Sequence, residues 1–333
     1  MKILFHSEQL NYRGTTNSIL DYATFNQSIL GNESAIIYDA TNPPGHEVGT
    51  KPEVVEEFKQ RFQVYSYNTE QELQDIASNF DFCYSQRAGC RVDSVSNVGQ
   101  DLVKPVVTTT KFGVHAVFQW WDPHGDKYAY ISEWLANKIA KKFSLETVPD
   151  FVPYIVDLPP PMWDMRSILG IPQDKIVIGR LGGFSTFDLD FVKQTIVNIV
   201  EERDDIIFLL ANTYPFYKHN NIIHISPFFS NQEKSNYINA CDAMIHGRHL
   251  GESFGLSVAE FLFHNKPVIS WNNGFDQNHM DMLKDTGLLY NDENELRQLF
   301  LNIRDFKGRD YHSIVDKFSP RNVMQKFESV YLR

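Results

Sequence analysis

Short β-branched or apolar runs alternate with amphipathic stretches along nearly all of the 333 residues, and this alternation restricts the fold more than any other feature. Ile3-Leu4-Phe5 predicts a buried strand. After a loop from His6 to Tyr12, Arg13-Gly14-Thr15-Thr16 leads into a helix. Its apolar positions Ile19, Tyr22, Ala23, Phe25, Ile29 and Leu30 recur at helical spacing, with Gly31 as C-cap. Strand Ser34–Tyr38 follows, then helix Glu53–Phe62, strand Val64–Tyr67, helix Glu70–Phe80 and strand Asp81–Ser85. The β-branched run Pro105–Thr110 reads as a further strand, followed by strand Tyr128–Ile131 and helix Glu133–Phe143. The pattern restarts after Asp157-Leu158-Pro159-Pro160-Pro161, the stiffest linker in the chain. Strand Lys175–Gly179, helix Phe191–Glu202, strands Ile206–Ala211 and Ile222–Ile225, helix Gln232–Cys241 and strand Ala243–Ile245 then follow. Repetition of this kind predicts two doubly wound parallel sheets, with ligands at the C-terminal ends of the strands.

Composition narrows the classes. The chain is 42% hydrophobic, ample for two cores, and 31 Lys and Arg against 42 Asp and Glu give a net charge of −11. That balance argues against nucleic acid as a partner, and an anionic ligand would need a local basic pocket. Cys83, Cys90 and Cys241 are odd in number and lack metal-ligand spacing, so they read as reduced and structural. The chain opens directly on the strand MKILF, so no signal peptide is expected. No apolar run approaches the ~20 residues of a membrane span, and the expected location is cytoplasmic. Helix Glu133–Phe143 sets Trp134, Leu135 and Ile139 beside Lys138, Lys141 and Lys142. It fits either an ordinary amphipathic helix or a peripheral membrane contact.

The chemistry concentrates in HGRHLGESFGLSVAEFLFHNKPVISW, from His246 to Trp271. His246 to Phe254 reads as a loop, Gly255 opens a helix continued by Leu256 to Phe263, Lys266-Pro267 stops it, and Val268–Trp271 is a strand. Glu260 is the odd residue, a carboxylate among Val258, Ala259, Phe261, Leu262 and Phe263, where it needs a hydrogen-bonding partner. Glu252 stands eight positions earlier, just before a helix N-terminus, where free N–H groups attract anions. Two carboxylates so placed suit the hydroxyls of a sugar and a ribose, with phosphate at the helix end. Arg248, four residues before Glu252, suits the same phosphates. The helix opening at Gly14 offers a second phosphate-compatible N-terminus, although the dinucleotide fingerprint G-x-G-x-x-G is absent and disfavours a nicotinamide enzyme.

On these residues the chain resembles the retaining, two-Rossmann-domain (GT-B) glycosyltransferases of family 4. Their Glu-x7-Glu motif corresponds here to Glu252, Phe254-Gly255-Leu256, Glu260 and Pro267-Val268. The resemblance implies two Rossmann-like domains facing a cleft: residues 1–156 on the acceptor side, residues 157–317 binding the nucleotide sugar. The closing segment 318–333, with a helix at Pro320–Tyr331, would cross back to the first domain. It implies transfer of a hexose from a nucleoside-diphosphate sugar, GDP-mannose in the first instance, to a glycan or other hydroxyl with retention. No cofactor and no metal are expected. Glu252 would position the donor sugar, Glu260 the ribose, Arg180 of the Gly-Arg-Leu element the diphosphate, and His115 would face the donor from a strand-end loop, with His124 as rival. Ser253, Phe254, Gly255 and Leu256 complete the donor-binding set. The family's Lys-Gly after that Arg is replaced by Ser185-Thr186, a departure at the phosphate grip. The opening FHSEQLNYRGT and the HAVF, DPHGD and ISEW runs also resemble a branch that includes enzymes of large algal viruses, for which the location would be host cytoplasm. A homodimer is compatible with this reading.

Two rival readings carry residues of their own. Gly251-Glu252-Ser253-Phe254-Gly255 matches the nucleophile elbow of α/β-hydrolases, with Ser253 as nucleophile, but His246 to Leu250 separate it from the preceding strand. Asp188-Leu189-Asp190 mimics a metal-binding D-x-D, yet sits at a helix start where acidic residues are ordinary caps. A sugar-nucleotide-binding protein without transfer activity is the non-enzymatic alternative. The long loop Thr41–Lys51 is the expected place for acceptor contacts.

Overall fold

The computed structural model describes residues 1–41, 49–93 and 102–333. Residues 42–48 of the expected acceptor loop therefore lie outside the described residues. The chain forms two compact units, Met1–Ile155 with Pro320–Arg333, and Val156–Ser319.

Unit 1 carries strands β1 (Lys2–Ser7), β2 (Glu33–Asp39), β3 (Gln63–Tyr67), β4 (Phe82–Arg87), β5 (Lys111–Ala116) and β6 (Lys127–Tyr130), and helices α1 (Gly14–Ser28), α2 (Pro52–Lys59), α3 (Glu70–Ala77) and α4 (Glu133–Lys142). The strands form one parallel sheet in the order β3-β2-β1-β4-β5-β6. Its central strands are buried along both faces, as β-branched and aromatic runs without alternation require. Thr69 and Ser132 cap α3 and α4 by accepting the amides of Glu72 and Leu135.

One strand lies where the β-branched run did not put it. Residues 105–110 run outside the sheet, and the strand is β5, six positions later. The Gln74 side chain of α3 provides the reason. It donates to the Val106 carbonyl at 2.8 Å and accepts the Thr108 amide at 2.9 Å, and Thr109 Oγ1 bonds the Gln74 carbonyl at 2.8 Å. These bonds satisfy the backbone that a neighbouring strand would otherwise have to satisfy.

Unit 2 carries α5 (Met165–Leu169), β7 (Ile176–Arg180), α6 (Asp190–Glu202), β8 (Ile206–Ala211), β9 (Ile222–Ile225), α7 (Asn231–Ala240), β10 (Ala243–His246), β11 (Gly251–Glu252), α8 (Leu256–Phe263), β12 (Val268–Trp271), β13 (Asp276–Gln277), α9 (Asn278–Leu283), β14 (Leu289–Tyr290) and α10 (Glu293–Leu301). Its parallel sheet has the order β9-β8-β7-β10-β12-β14, while β11 and β13 pair apart from it. Both sheets thus have the doubly wound arrangement, in which strand order reverses beside the first strand. No helix among the described residues is long and apolar enough to cross a membrane.

The last helix, α11 (Pro320–Phe327), and the π-helical turn Glu328–Leu332 belong to unit 1. Phe327 packs 5.2 Å from Tyr22, 5.3 Å from Tyr84 and 6.3 Å from Phe5, centroid to centroid, and Tyr331 Oη donates to the Val114 carbonyl at 3.1 Å. Gly113 leaves room for this contact, since a Cβ there would lie 2.5 Å from the Phe82 ring and 2.8 Å from Tyr331. Phe327 is fully buried. Phe327→Ala is therefore expected to destabilise unit 1 by about 3–5 kcal/mol. Urea unfolding of the variant should show a lower midpoint, and an unchanged midpoint would show that the helix is dispensable.

Candidate functional site

The stretch His246–Trp271 folds around two glycines. Gly251 has φ 71°, and a Cβ there would fall 1.9 Å from the Asp276 carbonyl oxygen, so only glycine lets β11 lie against β13. Gly255 has φ 90° and is the N-cap of α8. The chain thus leaves β10 at His246, turns with Gly251 N bonded to the Arg248 carbonyl at 3.1 Å, and presents Glu252 before entering α8.

Glu252 is held from two sides. Arg248 Nη1 donates to Oε2 at 2.9 Å, and His246 Nε2 lies 3.4 Å from Oε1. Burial alone would push the carboxyl up, but the Arg248 charge and the His246 hydrogen bond hold its pKa at about 2. His246 is anchored in turn by Ser270 Oγ, 2.9 Å from Nδ1, and by Tyr290 Oη, which donates to its carbonyl at 2.8 Å. The His279 ring packs 4.6 Å from that of His246, centroid to centroid, tilted by 49°. Burial, with the neighbouring His246, pushes His279 down to about 3, offset only in part by the Glu252 charge.

The donor-binding residues read from the motif all lie in unit 2 except Gly14. Phe254 is buried against Phe318 at 5.1 Å, and its carbonyl accepts from Asn278 Nδ2 at 2.6 Å. Ser253 and Leu256 flank the helix entrance and are partly exposed. Ser253 does not sit at the end of a main-sheet strand as an elbow nucleophile does, since β10 ends at His246.

Arg180 departs from expectation. It ends β7 with 3% of its surface exposed, and its guanidinium turns into the protein. Nη1 donates to the Asn212 carbonyl at 2.5 Å and Thr213 Oγ1 at 2.9 Å, and Nη2 to the Gly183 carbonyl at 2.7 Å and Thr186 Oγ1 at 2.8 Å. The fork expected to grip a diphosphate is thus occupied with the loops after β7 and β8, and Thr186 of the aberrant Ser185-Thr186 pair is one of its partners. Burial lowers the Arg180 pKa to about 10, which still leaves a cation.

Glu260 has a partner that the sequence did not reveal. It is buried on α8 and bonds Lys234 Nζ of α7 at 2.5 Å, with only 6% of either side chain exposed. Burial pushes the carboxyl up and Lys234 opposes that shift. In the string Gln232-Glu233-Lys234-Ser235 this lysine reads as part of a solvated first turn. The one available signal was the demand of Glu260 for a cation.

His115 is corrected as well. It lies within β5 rather than on a strand-end loop, with no exposed surface. The Val152 carbonyl, which can only accept, meets Nε2 at 2.9 Å, so Nδ1 accepts from Tyr84 Oη at 2.5 Å. Both nitrogens are engaged inside unit 1 and burial lowers the pKa to about 4, so in this structure the ring has no face for a donor. His124, the rival, is also buried, with Nδ1 at 2.6 Å from the Asp122 carbonyl. Gly14 is an ordinary first residue of α1 and not a left-handed turn. Asp188 accepts the His249 amide at 2.7 Å, and Asp190 begins α6. Among the described residues no group of three or more His, Cys, Asp or Glu side chains is arranged to hold a metal ion.

Two predictions follow from these charges. Lys234→Ala leaves a buried carboxylate unpaired and should destabilise the fold by about 3–5 kcal/mol, whereas Lys234→Met with Glu260→Leu should be neutral or stabilising. Denaturant melts of the single and double variants check this, and equal losses in both would show that the pair is not a closed unit. The Glu252 carboxyl is depressed in the folded state, from the ordinary glutamate value of about 4.5 to about 2, so its contribution to stability is present above about pH 4.5 and lost as pH falls towards 2. Glu252→Gln should flatten the dependence of melting temperature on pH across that window. A variant with the wild-type slope would show that the carboxyl titrates normally.

Compared with solved structures, the chain is similar over 99% of its length to a glycosyltransferase from Rickettsia africae ESF-5, with 97% of that chain covered, 14% identity and a TM-score of 0.69. It is similar to HepE of Anabaena in complex with UDP-glucose at 12% identity and a TM-score of 0.72, over 99% of each chain. It is also similar to sucrose-phosphate synthase from Thermosynechococcus elongatus at 12% identity and a TM-score of 0.64, over 99% of this chain and 95% of that one. No family model matches the chain, and no curated protein matches it in sequence. Identities this low carry architecture rather than chemistry. The chain has the GT-B fold of these glycosyltransferases, α/β with two doubly wound Rossmann-like sheets.

Proposed function

We propose that the protein is a retaining glycosyltransferase that moves a hexose from a nucleoside-diphosphate sugar to a hydroxyl of a glycan or related acceptor. The observation that carries this reading is the ionised Glu252, fixed by Arg248 and His246 at the entrance of α8 in a loop whose turns Gly251 and Gly255 permit. A carboxylate with both oxygens anchored retains lone pairs for sugar hydroxyls. The N-terminal amides of α8 and the partly exposed Arg248 suit the diphosphate. Arg180 then acts by fixing the loops around that phosphate site. Glu260 takes the ribose through the oxygen that Lys234 does not engage.

The acceptor is activated without a protein nucleophile: the departing diphosphate takes the acceptor proton while Arg248 and the helix end stabilise its charge. No metal enters this scheme. GDP-mannose rests on the motif's resemblance, and the UDP-glucose bound to HepE supports a nucleotide sugar as the class of donor.

Calorimetric titration with a panel including GDP-mannose and UDP-glucose, followed by transfer assays with and without chelator, tests the proposal. The expected outcome is tight binding of one donor and chelator-resistant release of free diphosphate. The product should keep the donor's anomeric configuration by NMR. Donor binding without transfer to any acceptor would favour the binding-protein alternative, and an inverted product would overturn retention.

A further inference from the structure

We propose that Ser270 and His246 are positioning residues for Glu252, a role that rests on reading this site as a sugar-nucleotide site. The parallel pairing of β10 with β12 sets His246 in register with Ser270, both buried at the C-terminal ends of their strands. Ser270 Oγ stands 2.9 Å from Nδ1, and Glu252 Oε1 stands 3.4 Å from Nε2.

A carboxylate can only accept, so the contact with Glu252 requires the proton on Nε2. In the neutral ring Nδ1 is then an acceptor, and Ser270 must donate to it. The donors run in one direction, from Ser270 Oγ–H to His246 Nδ1 and from His246 Nε2–H to Glu252 Oε1, while Arg248 Nη1 closes on Oε2. The ring is hemmed in, because the tilted His279 ring packs against it at 4.6 Å and Tyr290 Oη pins its carbonyl at 2.8 Å. Ser270 thus selects the tautomer that orients the carboxylate towards the hydroxyls of a donor sugar.

The effect should fall on the sugar and not on the nucleotide. Ser270→Ala is expected to raise the KM of the nucleotide sugar about 3- to 10-fold, the equivalent of one neutral hydrogen bond, and to leave the Kd of the free nucleotide within about 2-fold. Ser270→Thr, which keeps the hydroxyl, should restore the wild-type value. His246→Gln carries an amide N–H near the Nε2 position without needing a tautomer partner, so adding Ser270→Ala to it should change nothing further.

Nitrogen-15 NMR of histidine-labelled protein, with the His246 signals assigned from their absence in His246→Gln, reads the tautomer directly and independently of activity. The expected result is a neutral Nε2–H ring. A neutral Nδ1–H ring overturns the inference, and so does an imidazolium, for which Ser270 would not be needed to place the proton. Equal weakening of nucleotide and nucleotide sugar by Ser270→Ala overturns it too. A wild-type protein with the Nε2–H form that binds no nucleotide sugar brings down the functional reading and this role with it. A wrong tautomer in a protein that binds donor overturns this inference alone.

Discussion

Parallel strands buried on both faces satisfy one another's backbone and leave room for polar side chains only where the strands end. In unit 2 that constraint gathers the chemistry on one rim. Arg180 closes β7, His246 closes β10, Ser270 lies one residue from the end of β12, and Tyr290 closes β14. Each of these side chains or its carbonyl then meets a polar partner from a neighbouring strand end or loop. Glu252 enters this rim from outside the sheet, on the short β11, and so depends on the residues already there for its charge.

The buried charges of unit 2 fall into two kinds. Lys234–Glu260 is an ion pair shut away from solvent, and Arg180 is a cation whose partners are carbonyls and hydroxyls. Neither arrangement stabilises a fold as well as close apolar packing would. Their physical effect is to fix geometry: α7 against α8 in one case, the loops after β7 and β8 in the other. Glu252 differs because a quarter of its side chain remains exposed while both of its oxygens are anchored.

The architecture was legible because helical and strand periodicities differ and the chain alternates them cleanly; α8, Leu256–Phe263 behind its N-cap Gly255, follows from the glycine before the apolar run and the Lys266-Pro267 after it. Strand β5 was not legible, because Lys111-Phe112-Gly113-Val114-His115-Ala116 is less β-branched than the run before it, and the Gln74 contacts that hold that run out of the sheet are long-range. Lys234 was hidden for a similar reason: a lysine in the first turn of a helix looks solvated until the neighbouring helix is in place. Arg180 was found as a residue but not as an orientation. A motif specifies which side chain stands at a strand end, whereas the direction of its fork depends on the carbonyls of Ala211 and Asn212 and the hydroxyl of Thr213, some thirty positions away in the chain.

The return of α11 to unit 1 affects the order in which the protein can be made. Unit 2 is contiguous, Val156–Ser319, and has all its residues before Pro320 leaves the ribosome. Unit 1 begins first but is finished last. Until Phe327 and Tyr331 emerge, the rings of Phe5, Tyr22 and Tyr84 have no covering on the side where those residues pack. Synthesis at ~5–20 residues per second leaves that apolar patch open for on the order of ten seconds or more while unit 2 is translated. During that interval the nascent chain is a natural client for a chaperone, and a chain released before Pro320 would leave unit 1 permanently short of its last layer.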